Sequence, residues 1–302
     1  MKRRYAILDV FTDTPLEGNP LAVVRDCDGL DPERMLALAR EFNLSETVFI
    51  LPAENPVHSA RMRIFTPSRD LRFAGHPTVG TAILLAILRA RGAPIQKELV
   101  VVLEEEVGAI RCGVFLNSDQ LAHAIFDLPE PPEPVEQSLD REAIAGALGL
   151  ASSEIGFENH EPSAFDAGLP YCMVPVRDLQ TLAKVSPNRA LWQAAFGEDS
   201  DGAYIYCRQA AHRERDFRAR MFSPLLGFSE DPATGSAAAA FAGAVFRFDA
   251  LRSGSHRFVI EQGFEMARPS LIVLEVDVAG GAIEAARVGG DAVLIAEGTL
   301  EA

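Results

Sequence analysis

Phe73-Ala74-Gly75-His76-Pro77-Thr78-Val79-Gly80-Thr81-Ala82 is the stretch on which the reading of this chain turns, because a related stretch follows later as Glu230-Asp231-Pro232-Ala233-Thr234-Gly235-Ser236-Ala237. Overlaid, His76 meets Asp231, Pro77 meets Pro232 and Gly80 meets Gly235, an offset of 155 residues (231 − 76). Each copy follows a strand-like lead-in, Arg63-Ile64-Phe65-Thr66-Pro67 and Arg220-Met221-Phe222-Ser223-Pro224, and each runs into an apolar helix-like segment. The lead-ins are offset by 157 residues (220 − 63), so the overlay implies a loop two residues shorter in the second half. Proline is favoured at the first helical position, where its missing N–H has no intrahelical partner anyway. The spacing therefore predicts two helices starting at Pro77 and Pro232, with His76 and Asp231 as N-caps. A helix N-terminus carries unpaired N–H groups and attracts anions. Two capped core helices in a duplicated fold would explain the same spacing without any ligand.

The chain has 302 residues, 48% of them hydrophobic, enough for two domains each with its own core. The 28 lysines and arginines against 43 acidic residues give a formal charge of −15. That argues against a nucleic-acid backbone or an anionic membrane as partner, while an anionic small molecule remains compatible. Cys27, Cys112, Cys172 and Cys207 form no CxxC pair and read as reduced structural thiols of a cytoplasmic protein. Neither a signal peptide nor a membrane span is expected, the longest apolar run being Ala237 to Phe246.

In chain order, Tyr5 to Phe11 and Leu21 to Val24 read as strands, and Asp31-Pro32 opens a helix to Phe42. Val48 to Leu51 is the next strand. The helix after the first motif should run to Arg91, with Gly92 as its stop signal. Strands are expected over Leu99–Leu103, Gly108–Phe115 and His123–Leu128. Pro129-Glu130-Pro131-Pro132-Glu133-Pro134 reads as the linker. Beyond it, Ser186-Pro187 should open a helix, Ala203–Cys207 form a strand, and Asp201-Gly202 fall near the place of Glu46. Strands follow over Phe258–Glu261, Leu271–Val276 and Val293–Glu297. Gly280-Gly281 and Gly289-Gly290 read as turns, and Arg213-Glu214-Arg215-Asp216 as a solvated charged face. Two helices too apolar to lie outside imply an α+β fold: two pseudosymmetric, barrel-like curved sheets, each wrapped around a central helix, with a ligand cleft between them. The expected domains are 1–128, with the C-terminal strand 286–302 added, and 129–285.

Glu46 lies in a polar break flanked by Phe42, Leu44, Val48, Phe49 and Ile50, where an apolar wall raises a carboxyl pKa and suits a general acid or base; capping a backbone N–H is the plainer role. His76 reads either as a donor to a substrate oxygen or as an N-cap. No metal-ligand spacing, HExxH, GxSxG, GxGxxG or Walker loop is present, so no metal or cofactor is expected.

These residues resemble the PhzF-like isomerases of phenazine biosynthesis, within the wider diaminopimelate-epimerase-like fold. The resemblance rests on Asp9-Val10-Phe11-Thr12 with Gly18-Asn19-Pro20, on Asn43-Leu44-Ser45-Glu46-Thr47 and on the two motifs above. A weaker match is Glu261-Gln262-Gly263 through Arg268-Pro269-Ser270, with Val288-Gly289-Gly290. It implies a cofactor-free isomerase, usually a homodimer, with Glu46 as the catalytic residue. It also implies substrate contacts at Asn19, Gly75, His76, Asp231, Thr234, Gly235 and Ser236. Two departures bear on the pocket edge: Ala267 stands where many relatives have glycine, and Arg72 where an uncharged residue is common. The epimerases of this fold use two opposed cysteines, and no cysteine here lies in either motif, so thiol racemisation is not expected. A lone carboxylate suits removal of a proton from one carbon and its return to another on the same face of a small cyclic or unsaturated carboxylic acid. A lyase or hydratase using the same glutamate, and a non-catalytic binding protein for an acidic metabolite, are the alternatives.

Overall fold

The computed structural model describes residues 1–91, 98–197, 200, 202–225 and 228–302. Gly92, expected as a helix stop, and Asp201, expected near the place of Glu46, lie outside the described residues. The chain divides into two compact units, Met1–Pro129 with Val288–Ala302, and Glu130–Arg287.

In the first unit, strand β1 (Lys2–Val10) pairs antiparallel with β2 (Asn19–Val24) on one side. On its other side it pairs with residues 292–301 of the long strand β17 (Ala282–Glu301). Helix α1 (Pro32–Phe42) links β2 to its parallel neighbour β3 (Glu46–Leu51). Its N-cap is Asp31, whose carboxylate accepts from the Arg34 N–H at 2.7 Å. β3 pairs antiparallel with β4 (Ala60–Phe65), and the two-residue β5 (Asp70–Leu71) folds back on β4. β4 runs parallel to β6 (Glu98–Glu105), which continues as a meander through β7 (Gly108–Leu116) and β8 (Leu121–Asp127). β8 pairs with β17, so eight strands close into a barrel with no free edge.

Helix α2 (Gly75–Ala90) occupies that barrel, buried along nearly its whole length and touching β1, β2, β3, β6, β7 and β8. A helix so enclosed must be apolar all round, as this one is. Gly80 lets it in: a Cβ there would lie 2.6 Å from the Leu21 and 2.8 Å from the Val10 side chain.

The second unit begins with β9 (Glu133–Pro134) and α3 (Arg141–Leu148), followed by β10 (Ser163–Asp166) and β11 (Pro170–Pro175). Helices α4 (Leu179–Lys184) and α5 (Arg189–Phe196) lead to β12 (Gly202–Cys207), β13 (Phe217–Ser223) and β14 (Phe228–Asp231). Helix α6 (Gly235–Phe248), β15 (Gly254–Gln262) and β16 (Ser270–Ala279) complete it. The sheet runs β9–β10–β11–β12–β13–β15–β16. Buried α6 touches β16 at one end of this order and β9 and β10 at the other, so the sheet curls around it. Both units are thus mixed α+β. Among the described residues no helix is long and apolar enough to cross a membrane.

Several expectations need correction. α2 starts at Gly75 with Ala74 as N-cap, so His76 is the second helical residue and caps nothing. Pro77 falls third, where its N–H would be unpaired too, so proline marks the first turn rather than its first residue. α6 starts at Gly235 with Thr234 as N-cap, while Asp231 ends β14 and Pro232 precedes the helix. The helix starts are therefore offset by 160 residues (235 − 75), which sets His76 beside Ser236 and makes the second loop longer, not shorter. α5 starts after Asn188, whose side-chain oxygen accepts from Ala190 N–H at 3.0 Å; Ser186, ahead of a proline, stays outside. Gly289-Gly290 lies inside β17: a Cβ on Gly289 would meet the Ala124 carbonyl oxygen at 2.4 Å, so close strand approach, not a turn, explains it. The end of the proline run pairs with β10 as an edge strand. Of the charged run, Arg215 donates to buried Glu261 at 2.7 Å and Asp216 accepts from Val259 N–H, so only Arg213 and Glu214 are exposed.

Candidate functional site

In the first unit the fold gathers three of the expected residues at one end of the barrel. Asn19 opens β2, Glu46 opens the neighbouring parallel strand β3, and His76 lies in the first turn of the helix between them. The Glu46 carboxylate oxygen Oε2 is 3.3 Å from His76 Nδ1, and Asn19 Nδ2 is also 3.3 Å from that nitrogen. Asn19 and His76 are buried, and the Glu46 side chain keeps 12% exposure. Burial pushes the His76 pKa down to about 3, and the ring is neutral at pH 7. A neutral imidazole has one N–H. With that proton on Nε2, Nδ1 is left to accept from Asn19 Nδ2. Buried Nε2 finds no hydrogen-bond partner among the described residues. A polar atom in that state costs free energy until something outside the chain satisfies it. Gly75, the first residue of α2, is buried beside His76.

In the second unit, Asp231 at the end of β14, Thr234 at the N-cap of α6 and Gly235 and Ser236 in its first turn lie within one short stretch. The Thr234 hydroxyl donates to Asp231 Oδ2 at 2.6 Å, so the aspartate braces the loop instead of capping the helix. Gln262, at the end of β15, was not foreseen as a site residue, yet it holds this loop. Its amide donates to the Asp231 carbonyl at 2.9 Å and Thr234 Oγ1 at 3.0 Å, and its oxygen accepts from the Thr234 N–H at 3.2 Å. Gly263 follows with φ +78°, and a Cβ there would lie 2.5 Å from the Pro232 carbonyl oxygen, so only glycine lets β15 reach the loop. Glu230 is pinned by both arms of Arg220 at 2.8 Å. Ser236 Oγ lies 2.9 Å from the Tyr171 hydroxyl, a partner that no motif announced. No side chain caps the first turn of α6 among the described residues, which leaves the backbone N–H groups of a buried helix start for an anion.

The four cysteines are buried, and burial raises their pKa values, to about 12 for Cys27 and Cys207 and about 11 for Cys172. Such thiols stay protonated and do no proton transfer at neutral pH.

The first unit is thus a helix-filled eight-stranded barrel with a carboxylate and a neutral histidine at one end. The chain belongs to the phenazine biosynthesis-like protein family, whose model matches residues 8–298. It is 50% identical over 303 residues to an uncharacterized isomerase of Mesorhizobium japonicum, covering 99% of this chain and 98% of that one. It is 36% identical over 297 residues to the trans-2,3-dihydro-3-hydroxyanthranilate isomerase of Pseudomonas aeruginosa, covering 98% of each. A phenazine biosynthesis protein of the PhzF family from Bacillus anthracis shares the fold over 100% of both chains with a TM-score of 0.88 at 24% identity. The protein is an isomerase.

Proposed function

We propose that this isomerase moves a proton, without a cofactor, on a small cyclic or unsaturated carboxylic acid, with Glu46 as the acid–base group. The observation that carries the reading is the Glu46 carboxylate 3.3 Å from a neutral, buried His76 whose Nε2 has no partner among the described residues. As base, Glu46 takes a proton from one carbon, and the electron pair left behind spreads into the adjoining unsaturation. Protonated Glu46 then delivers a proton, exchangeable with solvent, to another carbon, so the atoms and charge balance. His76 contributes its free ring nitrogen to a substrate polar atom, and Asn19 fixes the ring. The α6 start at Gly235 and Ser236, braced by Thr234 and Asp231, is the proposed holder of the substrate carboxylate or of developing negative charge. A homodimer, as the resemblance implies, belongs to the same proposal, and light scattering on the purified chain decides it.

The test is incubation with trans-2,3-dihydro-3-hydroxyanthranilate in deuterium oxide. An isomerase product has the mass of its substrate apart from solvent deuterium. A product lighter or heavier by water or ammonia would replace the isomerisation by a lyase or hydratase reaction.

A further inference from the structure

Glu105, the last residue of β6, is buried inside the first unit, and its carboxyl reaches the first turn of α2. Its Oε1 lies 2.6 Å from Thr78 Oγ1. That hydroxyl lies 2.8 Å from the carbonyl oxygen of Ala74, the N-cap of α2. One hydroxyl proton cannot serve both oxygens. The contacts are all satisfied in one arrangement: Glu105 carries a proton and donates to Thr78 Oγ1, while Thr78 donates to the Ala74 carbonyl. We propose that Glu105, acting through Thr78, is a positioning residue that fixes the first turn of α2 and so the place of Gly75 and His76. It touches no reacting atom in this scheme.

Burial raises the Glu105 pKa to about 8, which agrees with the protonated form the contacts require. Among the described residues no cation pairs with its carboxyl. In the adjoining groove, Arg61 is paired with Glu54, Arg63 with Asp70 and His58 with Glu104. Arg72 and Glu106 line the same groove at its open side. Cys112 of β7 is buried, and its thiol stays neutral. Oε2 of Glu105 has no partner among the described residues, so ionisation would leave a charge with nothing to satisfy it. A helix turn held by a neutral acid loses its anchor as that acid ionises.

The experiment uses the full chain and four variants: Glu105→Gln, Glu105→Leu, Thr78→Ser and Thr78→Val. The first readout is the nuclear magnetic resonance signal of the His76 ring, assigned by its loss in His76→Asn. Glu105→Gln still donates to Thr78 and Thr78→Ser keeps the hydroxyl, so both should leave the signal in place. Glu105→Leu and Thr78→Val should move it, and Thr78→Val serves if the leucine variant does not fold. In the parent the signal should shift as the pH passes through about 8, and in Glu105→Gln it should not. The second readout rests on the isomerase reading above: with trans-2,3-dihydro-3-hydroxyanthranilate, Thr78→Val should lose kcat by roughly 10- to 100-fold with KM little changed. A parent without turnover on that compound bears on the proposed substrate class and leaves the first readout intact. A His76 signal unmoved in both Glu105→Leu and Thr78→Val overturns the positioning role. So does a glutamine variant displaced as far as the leucine one.

Discussion

In the proposed reaction, at the scale of single residues, the Glu46 carboxylate carries the proton beside an imidazole that burial keeps neutral. Glu46→Gln keeps the shape and removes the base, so deuterium exchange into substrate should fall by about 10²- to 10⁴-fold with the melting temperature nearly unchanged. Exchange at the parent rate would remove Glu46 from the mechanism. Glu105 makes a forecast with a definite sign. Its pKa is raised above the ordinary 4.5 to about 8, so the stability it confers is full below about pH 4.5 and fades as the pH rises through 8. The melting temperature should drop between pH 6 and 9 in the parent and drop less in Glu105→Gln. Ala267 has φ +55°, a left-handed conformation that costs a residue with a Cβ about 1–2 kcal/mol. Ala267→Gly should stabilise the fold by about 0.5–1 kcal/mol in urea titrations, the gain being reduced by the freer unfolded chain. Glu46 and His76 were legible because each interrupts an apolar context with a titratable group. Gln262, Tyr171 and Glu105 were not, since a buried hydrogen-bonding side chain inside a strand has no mark until its partner from another element is in place.

Elements show where sequence patterning reaches and where it stops. Asp31-Pro32 gave the start of α1 correctly, because an aspartate followed by proline meets both cap requirements at once. The motif prolines misled by up to three residues, because a proline is tolerated anywhere a helix N–H lacks a partner. Helices α3 and α4 went unread although Asp140 and Asp178 cap them, accepting from Ala143 and Thr181 N–H at 2.8 Å. Both are too short for apolar periodicity to stand out. The loop into α6 is where an element depends on a distant one. Gln262→Leu would leave the Asp231 carbonyl, the Thr234 N–H and the Thr234 hydroxyl without their shared partner. It should cost about 1–3 kcal/mol in chemical denaturation and weaken carboxylate binding. An unchanged midpoint would show that the loop holds itself.

For the molecule as a whole, apolar content and the repeated motif gave the helix-filled sheets, and residues 286–302 were expected to join the first domain. The division between the units falls within one continuous strand, after Arg287, and residues 288–302 carry buried Val288, Ala292, Val293 and Leu294 into the first unit. A chain ending at Arg287 should therefore lose the cooperative melting of the first unit and bind a hydrophobic dye; melting in the parent's manner would contradict the closed barrel. The same feature governs the order of events during synthesis. The ribosome delivers the β17 residues that pair with β1 and β8 only after the entire second unit has been made. Until then β1 and β8 present raw backbone edges to every other nascent chain nearby, and the catalytic glutamate proposed here sits in an unfinished wall. The first half of this protein to be translated is the last to be able to finish folding.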